Sequence, residues 1–491
     1  MAEIQFTAAK NGLKTCCVGG THLHSSYDPT KEAERFVSNI NTDFTPFAII
    51  VTEPALSYCV KPLREKFPNT KVGAVRFSTK FKFCDNLWDF VLYPEQIDSL
   101  LTKYGEDAIL STIFVSWTPT QKAFAAEHEK AWKAIRRITK TAQDILATRS
   151  FFADRWIKNS IRFCINAENN FIIEKGNIPV LIVASGPSLK QSLPYIKEFR
   201  EDFFLIALSS ACVPLEYAKI TPDLCISTDG SFWAKKHIAR CKVPLAVSAE
   251  SAIPNHLFST LPTIPLRYGE SPESDLLDLC SFKCMQGKRN GTVSGTAAEL
   301  AFSITSNSVY ACGLDLATCN GFQHIQPNQL EEANRMLDNR LQTKESRLYP
   351  ASLNNESVKI YRQWFSTQNG KFSNRFFRLT TKDFPYKPLG NIKTMDWDEI
   401  DLNEKHGEKP RVVQVPILEK KQRIQRIKKF IEEIESTSMP DTWVSAFFPA
   451  DYIMQKRVNK NMDETKAELE KKSLVKLNQI KKYIRFLEHN L

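Results

Sequence analysis

The chain has 491 residues, 42% of them hydrophobic and 25% charged, with a formal net charge of +11. That is enough chain for about three domains with sizeable cores, and the composition excludes a largely disordered or fibrous protein. Residues 1–17 lack the apolar segment of a secretory signal, and the longest apolar runs, such as 179–184, are too short to span a bilayer, so the expectation is a cytoplasmic protein without a membrane span.

In chain order, residues 47–51 (FAIIV) predict a buried strand, 55–67 a helix, 71–76 a strand, 88–92 a strand and 95–104 a helix. This rhythm predicts a small α/β domain over residues 1–150, closed by a long amphipathic helix at 121–147. A second region, 151–408, is more regular. Strands are expected at 179–184, 203–208, 224–227, 245–248 and 308–312, and helices at 189–199, 215–218 and 296–304. Short apolar runs ending in Gly, Ser, Pro or Asp predict a Rossmann-like, mostly parallel central sheet. A linker is expected near 407–410. Beyond it, residues 409–491 predict a helical domain, with Ile424, Ile427, Ile431 and Ile434, then Leu477, Ile480, Ile484 and Leu487, at helical spacing. This tail holds 18 Lys and Arg against 11 Asp and Glu, a net of +7, which reads as a solvated helix face or as a patch that can hold nucleic acid, an acidic partner or anionic lipid.

The twelve cysteines are scattered and form no CxxC pair. They predict free thiols in a reducing compartment, and neither Cys16-Cys17 nor Cys280/Cys284 has further ligands at metal-binding spacing, so no metal is assigned.

In an open α/β sheet, ligands bind beyond the C-terminal strand ends. Three loops fall there. In Ala184-Ser185-Gly186-Pro187-Ser188, Gly186 allows close backbone approach, Pro187 suits a first helical turn, and Ser188 with the following N–H groups could hold a phosphate; the alternative is an ordinary turn capped by Ser185. In Thr228-Asp229-Gly230-Ser231, the carboxylate can accept hydrogen bonds from ribose hydroxyls or hold a metal; the alternative is an N-cap or turn residue. In Asn290-Gly291-Thr292-Val293-Ser294-Gly295-Thr296, two glycines and three hydroxyls open a second helix. Asp315 lies at a further strand end, and His324, one of eight histidines, follows it. An imidazole titrates near neutrality, so His324 is a candidate acid or base, although loop histidines commonly cap turns.

These residues carry a resemblance. The run Ser185-Gly186-Pro187-Ser188-Leu189, and the stretch from Thr292-Val293-Ser294-Gly295-Thr296 through Gly313-Leu314-Asp315-Leu316-Ala317 to His324, resemble the core domain of the Maf (motility accessory factor) family, which is shared with an archaeal-type pterin diphosphokinase family. That half also resembles the bacterial sialyltransferases. His24-Ser25-Ser26-Tyr27-Asp28-Pro29 with residues 31–35, and residues 150–156 with Asn159, look like the Maf N-terminal part. The resemblance covers roughly residues 15–400. It departs at residues 347–364, which hold no histidine where related sialyltransferases place a base, and at Thr380-Thr381-Lys382, which stands in place of a glycine-rich turn.

The resemblance implies a glycosyltransferase that uses no cofactor. It would move a nonulosonic, sialic-acid-like sugar with inversion from a CMP-activated donor to Ser or Thr hydroxyls of flagellin. His324 would be the acid–base group, and Asp229 would position nucleotide or sugar. Ser185, Gly186, Pro187, Ser188, Thr228, Gly230, Thr292, Ser294, Gly295, Thr296 and Asp315 would line the donor site. The expected partners are flagellin and the nucleotide-sugar, with no nucleic acid. Two rival expectations stand beside it: a pterin diphosphokinase-like enzyme, and a non-catalytic flagellin-binding protein.

Overall fold

The computed structural model of the chain describes residues 3–319, 321–353, 356–381, 383–400, 407–457 and 462–489. The chain divides into two compact units, Met1–Ala153 with Ser438–Lys476, and Asp154–Thr437 with Leu477–Leu491. The three consecutive domains expected from the sequence are thus differently divided, because the tail contributes to both units. The boundary expected near 407–410 falls beside a two-stranded ladder in which Arg411–Gln414 pairs antiparallel with Phe171–Glu174. The Asn177 N–H donates to the Glu408 carbonyl at 2.9 Å, so this segment is part of the second unit's hydrogen bonding.

The first unit carries a parallel four-stranded sheet in the spatial order Phe90–Leu92, Lys71–Val75, Ala48–Thr52, Thr112–Ser116. Ala48–Thr52 is buried at all five positions, as a central parallel strand covered on both faces must be. The helix expected at 55–67 is confined to Val60–Lys66, because Glu53, Ala55 and Ser57 take left-handed backbone conformations immediately after the strand. Ahead of the sheet, Ile4–Ala8 and Lys14–Val18 form an antiparallel hairpin.

The second unit has the expected Rossmann-like α/β class. Its nine strands are β1 (Val180–Val183), β2 (Phe204–Leu208), β3 (Leu224–Ser227), β4 (Leu245–Ser248), β5 (Thr263–Arg267), β6 (Met285–Gln286), β7 (Val309–Cys312), β8 (Phe376–Thr380) and β9 (Lys393–Asp396). They are parallel throughout, in the order β6-β5-β4-β3-β2-β1-β7-β8-β9. The two-residue period of strands sends alternate side chains to opposite faces. Val180, Ile182, Phe204 and Ile206 join Ala297, Ala298, Leu300, Ala301 and Ile304 of helix Val293–Ile304 in one layer. Leu181, Val183, Leu205 and Ala207 join Leu189 and Ile196 of helix Leu189–Glu198 in the other.

The chain winds outward from β1 to β6, returns through helix Val293–Ile304, and lays β7 against the other side of β1. Strand order therefore reverses between β1 and β7, the topological switch point at which open α/β sheets bind their ligands. In the tail, helix Lys420–Ser436 buries Ile427, Ile431 and Ile434, and Arg423 with them. The Arg423 guanidinium donates to the carbonyls of Cys164 and, at 2.7 Å, Ala167. Arg426 donates to the Leu279 carbonyl at 3.0 Å, and Lys428 pairs with Glu488 at 2.6 Å. Three of the tail's cations are thus held by carbonyls and a carboxylate of the second unit, Arg423 from a buried position. Among the described residues, no helix is long and apolar enough to cross a membrane.

Candidate active site at the switch point

The loop after β1 and the loop after β7 meet through backbone. The Ala184 N–H donates to the Cys312 carbonyl at 2.9 Å, and the Gly186 N–H to the Gly313 carbonyl at 2.8 Å. A Cβ on Gly186 would collide with the Gly313 carbonyl and come within 2.5 Å of Asp315 Oδ2. Gly313 sits at φ +64°, and a Cβ there would run into the Ala184 carbonyl. The glycine at 186 is thus required by the protein's own backbone; the sequence argument had given that close approach to a donor phosphate. At Gly295 and Gly230 side chains set the limit: a Cβ would come within 3.0 Å of the Trp364 ring at the first and 2.7 Å of the Trp156 ring at the second.

The start of helix Leu189–Glu198 is likewise already occupied. Ser188 is buried, its N–H donates to Asp315 Oδ2 at 2.7 Å, and its hydroxyl donates to Asp315 Oδ1. The Asp315 carboxylate stands where a phosphate was expected, at the positive end of the helix. Burial pushes its pKa up, against the pull of the two Ser188 bonds. Pro187 lies in the turn before that helix and does not occupy its first position.

Ser185 points the other way. Its Oγ lies 2.7 Å from Ser210 Oγ and 2.7 Å from His324 Nδ1. The Ile325 N–H donates to the Ser185 carbonyl at 2.7 Å, which fixes the histidine loop to the loop after β1. Burial, and then the neighbouring His237, push the His324 pKa down to about 4. The imidazole is therefore neutral at physiological pH. With Nδ1–H donated to Ser185, Nε2 keeps a lone pair able to accept a proton.

Asp229 is exposed after β3. Its carboxylate accepts from the Ser231 N–H at 2.8 Å and the Ser231 hydroxyl at 2.7 Å, and Ser231 caps helix Phe232–Ile238. That helix carries His237, whose pKa is lowered by burial and partly restored by the Asp229 charge. The same charge, after burial, raises the Tyr361 hydroxyl. Asp229, His237, Tyr361 and His324 are thus electrostatic neighbours along one edge.

Further along that edge stand residues that the sequence reading did not single out. Arg289, after β6, ion-pairs with Glu250 at 2.8 Å and lies over the Trp156 and Tyr268 rings at 5.4 and 5.1 Å. Glu273 is buried, accepts from Ser248 at 2.7 Å, and is pushed up to about 8 by burial and then by the Glu250 charge. Burial, and then the Glu273 charge, push the Tyr268 hydroxyl up. Thr292 and Ser294 face each other at 2.8 Å at the start of helix Val293–Ile304. Several buried polar atoms at or near this edge lack a protein partner: Ser227 Oγ, Glu273 Oε2, Asn290 Nδ2, Arg378 Nη1 and Thr380 Oγ1. Orphaned polar atoms are costly, so those along this edge make it the candidate place for a polar ligand. No local motif could have announced Arg289 or Glu250, which lie 39 residues apart in sequence.

The fold and this edge define a doubly wound α/β protein with an incompletely satisfied polar edge at the switch point. Residues 155–321 match the family profile described as 6-hydroxymethylpterin diphosphokinase MptE-like. An uncharacterized protein of Treponema pallidum (strain Nichols) is 30% identical over 306 residues, covering 62% of this chain and 67% of its own length. A second uncharacterized protein of that organism is 27% identical over 216 residues, or 39% of this chain and 73% of the relative. In fold, the chain is similar to a Maf glycosyltransferase from Magnetospirillum magneticum AMB-1, with a TM-score of 0.50 and 13% identity over 99% of this chain and 91% of that one. The chain belongs to the family of the first Treponema protein, and it has a Maf-type fold around an MptE-like core.

Proposed function

We propose that this protein is a glycosyltransferase that moves a nonulosonic sugar with inversion from a CMP-activated donor to a Ser or Thr hydroxyl of flagellin, in the cytoplasm. The observation that carries the reading is the Ser210–Ser185–His324 chain at the switch point, which holds a neutral imidazole with one nitrogen anchored and the other available. In the proposed step, His324 Nε2 takes the acceptor proton as the acceptor oxygen bonds to the anomeric carbon. The bond from that carbon to the CMP phosphate breaks, and the electron pair leaves with the phosphate. A free imidazole of pKa about 4 is a weak base. The anionic donor supplies the missing basicity, because negative charge nearby favours the imidazolium. Asp229 would position nucleotide or sugar. The start of helix Val293–Ile304, with Thr292, Ser294 and Thr296, offers donors for the departing phosphate. Similarity of fold to a glycosyltransferase supports this reading.

A second reading, a diphosphokinase, is favoured by the family profile over residues 155–321. Thermal unfolding with CMP and with ATP separates the two. Ligand at about 100 times its dissociation constant adds roughly 2.7 kcal/mol. Stabilisation by CMP, followed by mass spectrometry showing one added nonulosonate on flagellin, supports the transferase; stabilisation by ATP alone supports the kinase. Response to neither nucleotide favours a binding protein.

A further inference from the structure

Away from His324 and Asp315, the described residues hold one grouping of three metal-ligating side chains. The Sγ atoms of Cys212, Cys225 and Cys241 all lie within 4.8 Å of one another, and Cys212 and Cys225 are 3.3 Å apart. They come from three elements: Cys212 opens helix Cys212–Tyr217, Cys225 lies in β3, and Cys241 follows helix Phe232–Ile238. Their sequence separations match no ligand motif, which is why the sequence pointed to no metal. Cys225 is buried, while Cys212 and Cys241 are partly accessible, so an ion has a route in.

The chemistry of the set suits a soft ion. Three thiols converging from three separate elements are the sulfur-rich donor set that zinc takes as thiolates. A zinc ion about 2.3 Å from each sulfur needs sulfurs roughly 3.8 Å apart, which a set of sulfurs all within 4.8 Å of one another can reach with small side-chain adjustments.

We propose that Cys212, Cys225 and Cys241 bind a zinc ion as thiolates. The role is positional. The ion ties the end of helix Phe232–Ile238, which carries His237, to β3 and to the turn at Ser209–Ala211, which carries Ser210. Ser210 and His237 both bear on His324. The metal site itself does not depend on the glycosyltransferase reading.

The test uses the full chain, reduced, with zinc or cobalt(II) as the probe. The protein should retain about one zinc per chain, and cobalt(II) should give a sulfur-to-metal charge-transfer band with tetrahedral d–d intensity. Cys241→Ser should weaken zinc binding by more than the roughly 100-fold that losing an outer-shell partner can cost. Cys17→Ser, a cysteine of the other unit, should bind as the parent does. On the unmodified protein, zinc should protect Cys212 and Cys241 from alkylation, a readout that holds even where a serine variant does not fold. The proposal is overturned if alkylation proceeds equally with and without zinc, or if Cys241→Ser gives the parent's cobalt spectrum.

Discussion

The two parallel sheets of this protein end in opposite ways. After strand Ala48–Thr52 of the first unit, Glu53 and Arg76 are fully buried and paired at 3.2 Å. Glu53 also accepts from the N–H groups of Ala55, Phe77 and Ser78, and Arg76 donates to the Ala55 carbonyl, Ser57 and Asp85. Every charged atom is matched, and the network holds the left-handed backbone at 53, 55 and 57 against a strain of about 1–3 kcal/mol each. At the strand ends of the second unit the polar groups are only partly matched: Glu273 and Arg378 each leave an atom unpartnered, and His324 stays neutral beside His237. Both edges follow the same α/β logic, but one has closed on itself and the other has kept capacity for a ligand. A saturated network reads as structure, and an unsaturated one as a site.

The largest expected effect that sharpens this comparison is at His324. His324→Ala should lower transfer by on the order of 10²–10⁴, with donor binding largely kept. In the parent, the acid limb of kcat/KM should lie near the free imidazole's value of about 4 and not near 6.5. Near-normal turnover of the folded variant removes His324 from the mechanism. Next comes Arg76→Met, which leaves Glu53 buried and unpaired. It should destabilise the first unit by about 3–5 kcal/mol in chemical denaturation while nucleotide binding by the second unit persists. Lost nucleotide binding with unchanged denaturation would break the comparison, because the closed network would then be a site.

How much of this was legible in sequence follows from the period of each segment. β3 and β4 match the predicted 224–227 and 245–248, because their apolar runs are short and sharply bounded. β5 and β8 escaped notice: Pro265 interrupts the first run, and Arg378, buried in the second with its donors on Thr394 and the Lys387 carbonyl, reads as a surface residue. Strand Thr112–Ser116 was also missed, since it is only half-buried throughout. At the site, the loops after β1, β3 and β7 were readable because glycine and serine punctuate them. The assembly of Arg289, Glu250, Glu273 and Trp156 was not, since only the crossovers bring those residues together.

A smaller effect tests Asp315, which the sequence offered as a ligand-binding group and the structure finds bonded to Ser188. Asp315→Ala leaves a buried N–H and hydroxyl without their acceptor and should cost about 1–3 kcal/mol of stability. If Asp315 serves the fold alone, adding phosphate should restore part of that loss, since the vacated helix start accepts an anion. A stable variant that no longer responds to CMP would instead make the carboxylate part of the donor site.

The smallest effect is a cancellation in the pH dependence of stability. His324 has a folded pKa of about 4, below the ordinary histidine value of 6.5. Its contribution is complete above 6.5 and is lost as pH falls from 6.5 towards 4, since there the unfolded chain binds the extra proton. Glu273 has a folded pKa of about 8, above the ordinary 4.5, so its contribution is complete below 4.5 and is lost as pH rises towards 8. Between 4.5 and 6.5 the two slopes, each about 1.4 kcal/mol per pH unit, are opposite in sign and offset each other. Relative to the parent, a His324→Gln variant should therefore lose a positive slope below pH 6.5, and Glu273→Gln should lose a negative slope between 4.5 and 8. Urea titrations across pH 4–8 measure both differences. Parallel curves for Glu273→Gln and the parent would show that this carboxyl is ionised when folded, and would place the second edge among the saturated networks after all.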